Sequence, residues 1–172
     1  MAVLANSRRE LDTQQFPWPI LFAAPLLAVF LQAYLPLRYP RLDVFDLPLL
    51  VVIYFSVSRR SPIAGTFTGA IVGLLQDGVT HQPVGIHGIA NTIIGFLAAS
   101  IGLRIDVDNP ITRMLMIFAF TLLDSFLYLV IVRHLIAEPL AWSWVHQIVR
   151  AAVNVALGLA LFAALDRTRL RD

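Results

Sequence analysis

Three observations predict an all-α, polytopic bundle of transmembrane helices with about six spans. Of 172 residues, 58% are hydrophobic and only 14% charged. A soluble domain carries about 25% charged residues, so the apolar excess has no water-facing explanation. Six apolar runs occupy nearly the whole chain, and a spanning helix needs about 20 such residues. The connections between them are short and rich in turn residues: Asp77-Gly78, Gln82-Pro83, Gly85, Asp108-Asn109-Pro110 and Glu138-Pro139. No linker divides the chain, so residues 1–172 read as a single integral membrane domain with little left for a soluble catalytic unit.

Residues 1–17 are polar through Phe16 and Pro17 and lack a small-residue cleavage signature after an apolar core, which predicts a retained tail rather than a signal peptide. The first run, 19–37, is broken only by Gln32 and ended by Pro36 and Arg38. Trp18, Tyr34 and Tyr39 stand at its ends, where aromatic rings favour the headgroup region. The second run, 44–57, is short for a span at about 1.5 Å per residue. Asp46 and Pro48 suit its N-terminus, and Arg59 with Arg60 give it a polar end. Runs at 63–79, 86–103, 114–136 and 145–165 are each long enough to cross with modest tilt or local thinning. An arginine-rich tail, 166–172, follows.

All thirteen basic residues are arginine. With six spans and the N-terminus inside, Arg8, Arg9, Arg59, Arg60, Arg104, Arg113, Arg167, Arg169 and Arg171 are cytoplasmic. Arg38, Arg41 and Arg133 are outside and Arg150 lies within a helix, which satisfies the positive-inside rule. Five spans with the N-terminus outside score equally. Six are preferred, because 46–58 reads as a capped helix and the alternative exports a tail bearing two arginines. Either arrangement leaves the C-terminus in the cytoplasm.

Within the third run Gly65, Gly69, Gly73 and Asp77 recur every four residues and share one helix face. In hydrocarbon, small residues at this spacing let backbones approach closely, since packing replaces the missing hydrophobic drive. The fourth run carries His87, Asn91, Gly95 and Ala99 at the same interval and is the natural counterpart, although spacing alone leaves a second protein open as the partner. The sixth run repeats the device with His146, Arg150, Asn154 and Gly158. Arg150 needs a carboxylate or a route to the interface. Asp124 in the antiparallel fifth run is within reach by depth, with Asn154 near level, and Asp77 competes. A register-fixing ion pair is the simpler reading, and a ligand or proton role is the functional one. Asp77 and Asp124 lie at different depths, which argues against an aspartyl dyad sharing a proton. With no cysteine and four scattered histidines, no metal set, serine elbow or phosphate loop is visible, and no cofactor is expected.

The stretch from Asp46 to Gly95 contains "LPLLVVIYFSV", "SRRSP", "AGTFTGAIVGLLQDGV" and "QPVGIHGIANTIIGF", and the fifth run contains "TLLDSFLYLV". This pattern resembles the rod shape-determining protein MreD family, most specifically in "GLLQDG" followed by "PVGIHG". The N-terminal tail and the sixth run correspond by position and hydropathy only, and Gln76 stands where another apolar residue is expected. The resemblance implies a non-enzymatic subunit of the bacterial inner membrane that binds MreC and acts with MreB, RodA and the elongation transpeptidase in lateral peptidoglycan synthesis. It implies membrane lipids as neighbours and no nucleic-acid partner. It also implies a helix arrangement similar to the substrate-binding subunits of vitamin ECF transporters. The family motif falls on Gly73, Asp77, Pro83, Gly85 and His87, with Asp124 a weaker match.

Tiny loops place partner binding largely in the membrane plane, through helix faces. Residues 77–87 would close the third and fourth helices at the outer face, with Pro83 restricting φ, Gly85 relieving crowding and Asp77 bonding free amides; a plain tight turn and a direct partner contact are both open. The competing class is a small-solute binding subunit of a transporter, which predicts a polar pocket among Asn91, Asp124, Arg150 and Asn154. A third, an intramembrane hydrolase, predicts loss of cleavage on Asp77→Asn or Asp124→Asn.

Overall fold

The computed structural model describes residues 16–80, 83–137 and 142–168, and those residues contain helices and turns but no strand. Among the described residues six α-helices follow in order: α1 Trp18–Arg38, α2 Leu47–Arg59, α3 Pro62–Thr80, α4 Ile86–Gly102, α5 Pro110–Ile131 and α6 Trp144–Asp166. A 3-10 turn, Pro40–Val44, joins α1 to α2, and a π turn, Val132–Ile136, extends α5. Trp18–Arg38, Pro110–Ile136 and Trp144–Asp166 are long and apolar enough to cross a membrane by length and composition, and Ile86–Gly102 is a shorter apolar helix.

The short second run is the centre of the molecule. Every residue from Pro48 to Ser58 is buried, and α2 packs against all five other helices. A helix that is apolar on every face has to be covered on every face, and α2 carries only Ser56 and Ser58 as polar interruptions before its arginines. Its 13 residues extend about 20 Å, against a hydrocarbon core of about 30 Å. The other helices form a ring around it: α1 packs on α3, α3 on α4, α4 on α5 and α5 on α6, while α6 meets the 3-10 turn after α1.

Short connections bring alternate helix ends together at two poles. At the arginine pole, Arg60 in a left-handed conformation (φ 48°) ends α2. Arg113 donates to Asp166 Oδ2 at 2.5 Å and to the Val107 carbonyl at 2.7 Å. Tyr54 donates to Asp166 Oδ1 at 2.9 Å and lies edge-on to Phe162. Phe16, assigned to the polar tail on sequence, is buried here against Tyr54 and Phe55, because an apolar ring beside the bundle has a core to enter. The remainder of the N-terminal tail through Gln15, and the chain beyond Thr168, lie outside the described residues.

Two further expectations change. Asp77-Gly78 is not a turn, since α3 runs on to Thr80, whose hydroxyl donates to the Gln76 carbonyl. And α5 starts at Pro110, earlier than its apolar run, because the Asn109 side chain accepts from Ile111 N and Pro occupies the first helical position.

Candidate functional site

The opposite pole holds the polar residues singled out in the sequence, and the α3–α4 seam positions them. A Cβ placed on Gly69 would run into the Asn91 backbone carbonyl, on Gly65 into that of Gly95, and on Gly73 into that of His87. The two helices therefore touch backbone to backbone, which only glycine allows at these three positions. The glycine stripe faces α4 of the same chain.

This close approach sets Asp77, in the last turn of α3, beside the start of α4. The N-cap of α4 is Gly85, whose φ of 109° suits glycine and which has no side chain to satisfy the first amides of the helix. Asp77 does so from the neighbouring helix. Its carboxylate accepts from the backbone N–H of Gly85 at 2.8 Å, His87 at 3.1 Å and Gly88 at 3.1 Å. It also pairs with His87 Nδ1 at 2.7 Å. Asp77 is fully buried, so four partners around one carboxylate are what its burial requires. One residue before Asp77, Gln76 Oε1 accepts from Asn91 Nδ2 at 3.3 Å, so the unexpected polar residue faces inward.

A second network joins α2, α5 and α6. Arg150 reaches Asp46 Oδ2 at 2.6 Å, Asp124 Oδ2 at 3.3 Å and Ser125 Oγ at 2.9 Å. Asp46 also caps α2 by accepting from Leu49 N at 3.2 Å. Asn154 holds the segment before α2 through Asp46 N at 2.9 Å and the Val44 carbonyl at 3.0 Å. Gln32 of α1 ties in the same stretch by donating to the Phe45 carbonyl at 2.9 Å and accepting from Leu47 N at 3.1 Å.

Because α2 starts at Leu47 while the surrounding helices continue past it, a cup of about 980 Å³ opens above its N-terminus. Asp46, Arg150 and Gln76 form its floor, and residues of α1, α3, α4, α5 and α6 its wall.

Of the sequence-singled residues, Gly73, Asp77, Gly85 and His87 meet at the start of α4, Gly65 and Gly69 continue the seam, and Pro83 lies exposed in the turn. Asp124, Arg150 and Asn154 meet at the start of α2, and Asn91 joins Gln76 between the two groups. Asp77 does not compete for Arg150. The sequence reading missed Asp46 as the shorter ion-pair partner of Arg150, and with it Gln32 and Ser125; lone polar residues at 32 and 125 in apolar runs were the available signal.

A family model described as rod shape-determining protein MreD matches residues 12–166. No curated protein and no solved structure matches the chain.

Proposed function

We propose a role that starts from family membership: the chain belongs to the rod shape-determining protein MreD family, and so to the cell-shape machinery. The protein is a non-enzymatic scaffold subunit of the elongation complex in the bacterial inner membrane. It binds MreC directly and, through it, supports MreB, RodA and the elongation transpeptidase in lateral wall synthesis. The positive-inside rule puts the arginine pole and the C-terminus in the cytoplasm and the cup outside.

The observation that carries this reading is how the intramembrane carboxylates are spent. Asp77 is committed to His87 and three amides, and Asp124 to Arg150, so the two do not form a dyad with a shared proton. The seam consumes the small residues of α3 internally, which leaves other faces for a partner. Those faces are apolar and aromatic: Phe22, Leu26 and Phe30 along α1, and Ile63, Phe67 and Ile71 along α3, are all exposed. The second helix, buried from Pro48 to Ser58, has no outer face to offer.

The test is site-specific photocrosslinking in cells from Phe22, Phe67 and the exposed Val84 beside Pro83 in the turn. Capture of MreC from at least one face is expected. Capture of lipid alone would refute the scaffold role.

A second reading, a small-solute binding subunit of a transporter, would use the cup as its pocket, with Arg150 the one member of the expected set Asn91, Asp124, Arg150 and Asn154 that lines it. A vitamin-like compound co-purifying with the protein would favour it over the scaffold.

A further inference from the structure

The cup has a charge and hydrogen-bonding character that the scaffold role does not use. Two buried carboxylates, Asp46 and Asp124, share one guanidinium, and Asp43 adds a further carboxylate to the lining. Arg150 is already engaged by both carboxylates and by Ser125, so the cup disfavours a simple anion. Among the described residues, the lining also leaves Gln147 Oε1 and Trp142 Nε1 buried without a partner. Asp124 Oδ1 and Asn91 Oδ1, each one hydrogen bond behind the floor, are in the same state. Of the two that line the cup, Gln147 Oε1 is an acceptor and Trp142 Nε1 a donor. The lining carboxylates Asp43 and Asp46 outnumber its one guanidinium, and together with the Gln147 acceptor they call for a ligand bearing N–H donors and positive charge.

The walls agree. Phe30, Tyr34, Tyr128 and Trp142 line the cup, and aromatic faces attract ammonium groups. The single orphan donor, Trp142 Nε1, adds a place for an anionic oxygen next to that ammonium. Position narrows the source. Tyr34, Tyr39 and Trp144 are exposed at the same pole, the arrangement that marks headgroup depth. Among the described residues the ring around α2 is weakest between α1 and α6, which meet through the 3-10 turn, so the cup is least enclosed on that side.

We propose that the cup binds the zwitterionic headgroup of an aminophospholipid, its ammonium over the Asp43–Asp46 side and its phosphate toward Trp142.

The test is native mass spectrometry of the full chain, released from detergent after incubation with equal amounts of phosphatidylethanolamine, phosphatidylglycerol and phosphatidylcholine. Selective retention of phosphatidylethanolamine is expected. Asp43→Asn and Tyr34→Ala, both at exposed positions of the lining, should each weaken it roughly tenfold, the loss of one charge-assisted or cation–π contact, while Leu115→Ala, exposed on α5 and outside the lining, leaves it unchanged. Phosphatidylcholine has positive charge but no N–H on its ammonium, so its weaker retention would support hydrogen bonding to the lining carboxylates and Gln147. Equal retention of all three lipids, or indifference to both lining variants, overturns the proposal. So does binding of free phosphorylethanolamine as tight as that of the lipid, which would make the ligand a soluble amine. Photocrosslinking from Tyr34 that captures a protein in place of lipid would show that a partner's basic side chain fills the cup, and also overturns it.

Discussion

Alanine at two glycines of one helix should move stability in opposite directions. At Gly69 the added methyl would meet the carbonyl oxygen and carbon of Asn91 and, at 3.0 Å, Thr92 N. All three are backbone atoms of α4, so no rotamer change makes room and the helices must part. Overpacking costs about 1–3 kcal/mol, and a rigid backbone obstacle places Gly69→Ala at about 3 kcal/mol. At Gly78 a Cβ would find nothing within 4 Å, and the residue is helical. Gly78→Ala should therefore gain about 0.5–1 kcal/mol from the lower backbone entropy of the unfolded chain. The two variants should differ by about 3.5 kcal/mol, or roughly 300-fold in the folding equilibrium. Reversible unfolding of the purified protein in mixed micelles with increasing SDS measures this. Stabilities within about 0.5 kcal/mol of each other would mean that α3 and α4 do not touch through their backbones, and the seam argument fails.

The same unfolding assay checks three further expectations. Arg150→Leu leaves Asp46 and Asp124 without their cation and should cost about 3–5 kcal/mol; adding Asp124→Asn should recover only part, since Asp46 stays unpaired. A double variant no more stable than the single would remove Asp124 as a partner. Asp77→Asn gives up the His87 ion pair and one acceptor position, at a cost of about 1.5–3 kcal/mol, and should speed hydrogen exchange at the Gly85, His87 and Gly88 amides. Unchanged exchange there would count against its capping role. Gly85→Ala meets open space but keeps a φ of 109°, so about 1–2 kcal/mol should be lost to backbone strain alone, and an unchanged midpoint would refute that conformation.

Where a run has polar or turn residues at both ends, its helix is legible: the first, third, fourth and sixth runs end within one residue of α1, α3, α4 and α6. The fifth run misses the start of α5 because Arg113 reads as a loop residue, whereas its guanidinium folds back onto Val107 and Asp166 and lets the helix begin at Pro110. The α3–α4 pairing and the Asp124–Arg150 reach follow from four-residue spacing and depth. Spacing within one helix cannot show which helix is surrounded, so the place of α2 was hidden, and with it the part played by Asp46. Length was read as weakness in a span, when a short helix that is apolar on all sides is also what a buried centre looks like.

The central position of α2 explains why such costly polar groups sit around its start. A helix apolar on every face has no preferred rotation, and sliding it by one turn, about 5.4 Å, would bury similar surface. Packing alone specifies its register weakly. Asp46 removes that freedom because one carboxylate does two things at once: one oxygen caps α2 through Leu49 N, and the other holds Arg150 of α6. Asn154 and Gln32 fix the preceding backbone from α6 and α1, so the start of α2 is tied to both sides of the ring's weakest point. A slide of α2 would break all of these together and strand a buried guanidinium, which is the penalty that packing cannot supply. On this argument Arg150 sets the depth at which the central helix stops, and the stop creates the cup.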